Sequence, residues 1–154
     1  MVLVFLLFIT NVFAVDVFYE APTPEEFVEL RKLTGMYPRS LESARKGLNN
    51  SLFWIILRDQ DKLVGMGRVV GDGGTVAQIT DISVHPDYQK KGYGAFIFEQ
   101  IQNYILSNIP DDAFVCLFAE KHATPFYKNR RFEYADKWPG MYWPCLDRAK
   151  LNGN

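Results

Sequence analysis

The run Gln89-Lys-Lys-Gly-Tyr-Gly-Ala95 holds the residue types and spacing best suited to chemistry. Gly92 and Gly94 let a ligand approach the main chain with no Cβ in the way. They open a helix-like stretch that reaches about Asn108. The first turn of a helix leaves several N–H groups without helical partners, at the positive end of the macrodipole. Lys90 and Lys91 add positive charge at the same place. Such a turn is a socket for phosphate or pyrophosphate. The spacing is not the G-x-x-x-x-G-K-[ST] of nucleotide hydrolases. It is not the dinucleotide fingerprint either: Phe96 and Ile97 stand where a third glycine would fall, and no βαβ repeat follows. The plainer alternative is a helix start with two convenient glycines.

The elements around this run follow from local signals. Asp16–Glu20 reads as a first strand. Thr23-Pro-Glu-Glu26 announces a helix, with Thr23 as cap, Pro24 at the first helical position and Glu26 completing a capping box. Phe27, Leu30 and Leu33 form its apolar side, and Gly35 ends it. Ser40 caps a second short helix to about Lys46. Leu52–Arg58, Leu63–Gly71 and Thr75–Val84 read as three strands joined by tight turns, an antiparallel meander. Ile97, Phe98, Ile101, Tyr104 and Ile105 then repeat at helical spacing, and Pro110 stops that helix. Ala113–Phe118 is another apolar strand, and a short helix follows around Pro125–Asn129. Phe132–Ala135 and Met141–Trp143 read as closing strands.

Composition narrows the class. One domain is the natural reading of 154 residues. With 48% apolar and 23% charged residues, the chain can bury an ordinary core. A net charge of −1 gives no electrostatic footprint for nucleic acid. The two cysteines, Cys116 and Cys145, lie in no C-x-x-C or Cys/His array, so neither a metal centre nor a disulfide framework is expected. Met1–Val15 is apolar apart from Thr10 and Asn11. It is short against the ~20 residues that span a bilayer, and no Lys or Arg precedes Arg31. The chain therefore divides into an apolar extension at 1–15, a domain at 16–145 and a tail at 146–154. A cytoplasmic location is expected. The alternative is a secretory or anchored protein in which Met1–Ala14 acts as a leader.

The order of elements, with Val84 followed by Gln89-Lys-Lys-Gly-Tyr-Gly94, resembles the GNAT superfamily of acyl-CoA-dependent N-acetyltransferases. Gln89, Gly92 and Gly94 fill that family's pyrophosphate pattern, [QR]-x-x-G-x-[GA]. A second family pattern, an aromatic or Leu then Tyr-x-x-x-G-F, is matched at Phe126-Tyr-Lys-Asn-Arg-Arg-Phe132. Arg131 stands there in place of the usual glycine, and Glu120 stands where many members carry Asn. The resemblance covers about Asp16–Trp143. It implies a single-domain α+β fold whose mixed, mostly antiparallel sheet splays between the fourth and fifth core strands, flanked by about four helices.

It also implies a reaction. Acetyl-CoA is the expected co-substrate, with no metal, and a primary amine the acceptor. The pyrophosphate would sit on Gln89, Lys90, Lys91, Gly92, Tyr93, Gly94 and Ala95. The pantetheine would lie along Ile82, Ser83 and Val84 as an added strand would, and Glu120 would take the cofactor contact of the missing Asn. An amide near Val84 would stabilise the oxyanion. Tyr127 would protonate the departing thiolate, since a phenol of pKa ~10 can donate to a thiolate of pKa ~8.5. Asp81, inside the cofactor strand, is the candidate base, with Glu120 and His122 as substitutes. A buried carboxylate holding its neighbours is the alternative for Asp81. Neither cysteine is placed for an acyl-enzyme, so direct transfer in a ternary complex is preferred.

The acceptor would be a small molecule or an amino group, with Met36, Tyr37, Trp138, Met141, Tyr142 and Trp143 as aromatic and apolar walls. These residues read equally as closure of the sheet end. No nucleic acid and no stable membrane span are expected, and a homodimer stays open. A non-catalytic acyl-CoA sensor is the competing function.

Overall fold

The computed structural model describes residues 15–137, 140 and 141. Along the chain they divide into two compact units, the first ending at Phe118 and the second starting at Ala119.

The first unit is a five-stranded sheet in the order β1 (Asp16–Phe18), β2 (Phe53–Asp59), β3 (Lys62–Gly71), β4 (Val76–Val84) and β5 (Phe114–Leu117). Neighbours are antiparallel except β4 and β5, which run parallel. The β3–β4 turn is set by Asp72. Its carboxylate accepts from the amides of Gly74, Thr75 and Val76 and from the Thr75 hydroxyl. Those bonds, the hydroxyl's first, hold its carboxyl well below the usual carboxylate range.

Helix α1 (Pro24–Leu33) starts as its capping signals require. Thr23 Oγ1 accepts from the Glu26 amide, and the Glu26 carboxylate accepts from the Thr23 amide. Gly35 follows at φ 73, a left-handed value that suits glycine after a helix end. Helix α2 (Leu41–Gly47) is capped by Ser40. Phe27 and Leu30 of α1 and Ala44 of α2 share one core with Trp54, Ile56 and Met66 of the sheet. The long helix α3 (Tyr93–Asn108) buries Ile97, Phe98 and Ile101. Ile97 lies against Gly65 and Gly67 of β3, where a side chain would collide with it.

The second unit carries a 3-10 turn at Lys121–Ala123 and the short helix α4 (Thr124–Lys128). Phe132–Ala135 forms no strand, contrary to its apolar and aromatic content. The segment after α4 is closed by turn hydrogen bonds to α4 itself, which a ladder partner would have to displace. Of Met141–Trp143, only Met141 is described, and it is exposed and not in a strand.

Candidate active site

The sheet opens beside the glycine run. Strand β5 pairs with β4 only from Val76↔Phe114 to Ile79↔Leu117. Beyond Ile79, no described strand pairs with β4 on that side. Strand β4 is itself irregular just past that point. Met66 pairs with Ser83 and Arg68 with Thr80, so Gly67 faces both Asp81 and Ile82. This is a β-bulge, and Asp81 takes φ 59 within it. A bulge with one left-handed residue bends its strand and adds local twist. Aspartate is among the few residues that tolerate that conformation. Ile82, Ser83 and Val84 lie beyond the last β4–β5 pair, Ile79 with Leu117.

Asp81 is buried, and both of its oxygens are taken. Oδ1 accepts from Arg31 Nη1, and Oδ2 accepts from Arg68 Nε at 2.6 Å. Arg31 is itself 5% exposed. Its remaining donors reach the Tyr37 carbonyl, Nη2 at 2.6 Å and Nε at 3.2 Å. Burial pushes the Arg31 guanidinium below its ordinary value, and the charge of Asp81 opposes that shift. Both guanidiniums lie near the Phe27 ring, and Arg68 also lies over Trp54. One residue pair further along, Thr34 Oγ1 and Ser83 Oγ share a hydrogen bond of 2.9 Å.

The glycine run follows β4 through a 3-10 turn at Pro86–Tyr88. His85 accepts the Asp87 amide on Nδ1 and caps that turn. Gln89 braces the loop: its side-chain amide donates to the Val84 carbonyl at 2.9 Å, and its backbone amide donates to Pro86 O. Lys90 takes φ 60 and Gly92 takes φ 88. Left-handed residues placed among ordinary ones turn successive amides to one side, as in anion-binding nests. Gly92 is the N-cap of α3, and no side chain caps that end. A Cβ on Gly94 would stand 3.9 Å from Val84 Cγ2, which puts the helix start beside the end of β4. Lys91 reaches back to Asp87 O at 2.9 Å and lies over the Tyr88 ring. Lys90 is exposed. Tyr93 is buried in the first turn, while Ala95 is half-buried.

On the second unit, Tyr127 is fixed by the end of α4. Arg131 donates to Lys128 O, and Phe132 donates to Tyr127 O. Arg131 lies at φ 68, and the Phe132 and Tyr127 rings meet at 6.2 Å between centroids. This is a Schellman closure, with an arginine in the left-handed position that glycine normally takes. Burial raises the Tyr127 phenol above its ordinary value, partly offset by the charge of Arg130. Glu120 caps the preceding 3-10 turn by position, is exposed, and lies 3.2 Å from His122 Nδ1.

The structure thus brings Asp81, Ile82, Ser83, Val84 and Gln89–Ala95 together on one unit, with Met36 and Tyr37 nearby through Arg31. Met36 Sδ is 3.9 Å from Arg31 Nη1, and the exposed Tyr37 ring stacks with Arg39. Trp138, Tyr142 and Trp143 lie outside the described residues. Sequence reading missed Arg31, Thr34 and Arg68. One signal existed: Arg31 falls four residues after Phe27, on the buried stripe of α1, where a charge demands a partner. Among the described residues, no group of three His, Cys, Asp or Glu could hold a metal. No helix among them is long and apolar enough to cross a membrane.

Comparison with known proteins gives this fold its class, an acetyltransferase, and the chain belongs to the GNAT family. The family model described as Acetyltransferase (GNAT) family matches residues 16–134. An "Uncharacterized N-acetyltransferase ycf52" of Pyropia yezoensis is 32% identical over 123 residues, covering 77% of this chain and 70% of that protein. The "GCN5-related N-acetyltransferase 2, chloroplastic" of Arabidopsis thaliana is 33% identical over 87 residues, 56% of this chain and 33% of that longer protein. Among solved structures, a "Probable Acetyltransferase" of meticillin-resistant Staphylococcus aureus is 43% identical with a TM-score of 0.81, covering 85% of this chain and 99% of that one. These findings support acyltransferase activity. They also support the mixed α+β fold, with β4 and β5 parallel and four helices among the described residues.

Proposed function

We propose that the protein transfers an acetyl group from acetyl-CoA to a primary amine by direct attack in a ternary complex. The observation that carries this reading is the juxtaposition, on one stretch of chain, of a strand end with no described strand paired on its β5 side and a helix start that no side chain caps. The first suits the peptide-like pantetheine, and the second suits the diphosphate. The amides around Gly92–Ala95 take the pyrophosphate, with Lys90 and Lys91 beside them. Ile82, Ser83 and Val84 offer backbone to the pantetheine, and an amide near Val84 meets the carbonyl as charge develops on it.

The amine must lose a proton first. For a lysine-like pKa of ~10.4, this costs roughly 4–5 kcal/mol at pH 7. We assign Asp81 a positioning role, because both of its oxygens already accept from guanidiniums. Glu120 and His122 are exposed to solvent and are the carboxylate and imidazole to test as the proton's destination. Tyr127 donates to the leaving thiolate. A phenol is protonated at neutral pH, which is the state an acid needs, and burial shifts this one further in that direction. Met36 and Tyr37 belong to the acceptor side. A cytoplasmic location accompanies this reading, and a mature N-terminus found just after Ala14 would overturn it.

The test is thermal stabilisation by CoA and acetyl-CoA, followed by thiol release with an amine panel. Release with at least one amine is expected. Stabilisation without release for any amine would make the protein an acyl-CoA sensor instead.

A further inference from the structure

Two side chains of the α1 C-terminus are fastened to β4 on either side of Ile82. Arg31 reaches Asp81, and Thr34 reaches Ser83 at 2.9 Å. The same Arg31 holds the Tyr37 carbonyl with two donors, at 2.6 and 3.2 Å. One guanidinium therefore grips the loop between α1 and α2 and the bulge of β4 together. Arg68 holds Asp81 from the β3 side, and its Nη1 donates to Ser51 Oγ, so the bulge end of this contact is anchored in the sheet.

We infer that Arg31 and Thr34 are positioning residues that set the acceptor-side loop, residues 35–39, against the reacting end of β4. This rests on the transferase reading above. Arginine suits the task because its planar fork serves a carboxylate and a carbonyl at once, where a lysine offers a single point charge. The start of the loop closes back onto α1, with the Gly35 amide donating to Lys32 O and the Met36 amide to Arg31 O. Tyr37, Pro38 and Arg39 are exposed, and Met36 is half-buried. Beyond Met36, the Tyr37 carbonyl is held by this guanidinium through two donors. Its placement follows Asp81, which lies at the bulge of β4. A shift of the loop alters where an amine is held, while the glycine socket, on a separate element, is unaffected.

The experiment compares wild type, Arg31→Lys and Thr34→Val. CoA affinity is measured by calorimetry. KM is measured for acetyl-CoA and for the best acceptor among 2-phenylethylamine, tyramine, putrescine and a peptide with a free N-terminus. Arg31→Lys is expected to keep CoA affinity within about threefold and raise the amine KM by about tenfold or more. Thr34→Val should move the amine KM in the same direction by less, and it leaves no buried charge unpaired if the lysine variant folds poorly. Unchanged amine KM in both variants overturns the inference. So does a parallel loss of CoA affinity and amine KM, which is the mark of a merely structural role. If the wild type binds CoA but turns over no amine, the transferase reading fails, and amide exchange decides this one. Protection of residues 36–39 on CoA addition that is lost in Arg31→Lys supports the coupling; equal protection in both proteins removes it. A wild type that does not bind CoA overturns both readings.

Discussion

Gly67 lies so close under Ile97 that a Cβ built on it would stand 2.7 Å from Ile97 Cγ2, and 2.9 Å from Ile101 Cδ1. Gly67 also faces the Asp81–Ile82 bulge. The lack of a side chain there lets α3 sit down on the sheet beside that bulge. Gly67→Val should cost about 2–3 kcal/mol by overpacking. Urea unfolding measures this, and an unchanged midpoint would show that α3 can move aside.

Asp81 separates two roles by experiment. Asp81→Asn leaves two guanidiniums short of a buried counter-charge. Breaking such a group costs about 3–5 kcal/mol when fully buried. Arg68 is partly open, so the lower end is expected. A large fall in the unfolding midpoint supports the positioning role. A normal midpoint with a slow enzyme would return Asp81 to the role of base.

Arg131 holds a left-handed backbone at φ 68. An L-residue pays roughly 1–2 kcal/mol for that conformation, and glycine recovers most of it. Arg131→Gly should stabilise the protein by about 1 kcal/mol and leave turnover unchanged. A destabilised variant would show that the arginine side chain makes a contact worth more than the strain.

Tyr127→Phe should keep acetyl-CoA binding and lower turnover by about 10²-fold. The wild-type pH profile adds a check on sign. An acid works while protonated, and burial raises this phenol above its ordinary value. Activity should therefore persist to alkaline pH and fall only as the raised pKa is passed. Stopped-flow thiol release across pH measures both. Turnover of Tyr127→Phe equal to wild type would remove the assignment.

Gly92 caps α3 at φ 88, where a β-branched residue is strongly disfavoured. Gly92→Val should weaken CoA binding by about tenfold or more. Calorimetry reads the change, and normal affinity would count against the socket.

Local chemistry explains what could be read from the chain alone. Thr23, Pro24 and Glu26 act within one turn, and so their helix start was visible. The hairpins and α3 follow from short turns and a 3.6-residue period. The glycine socket is likewise a run of adjacent residues. The ion cluster is different. Arg31 and Asp81 are separated by 50 residues and Arg68 and Asp81 by 13, so no periodicity links them. The bulge was hidden for the same reason: it is a property of two strands in register, not of one. Phe132–Ala135 has strand-like residues, yet the turn that fixes Tyr127 takes the amide of Phe132, the first of them.

Because one carboxylate answers to two cations, positions 31, 68 and 81 form a single heritable unit. A descendant that dropped Asp81 alone would strand both arginines, and one that dropped an arginine would leave the acid half-answered. A single change at any one site leaves an intermediate less stable than either end, unless all three turn apolar together. Cousins of this chain should therefore hold the whole trio or none of it.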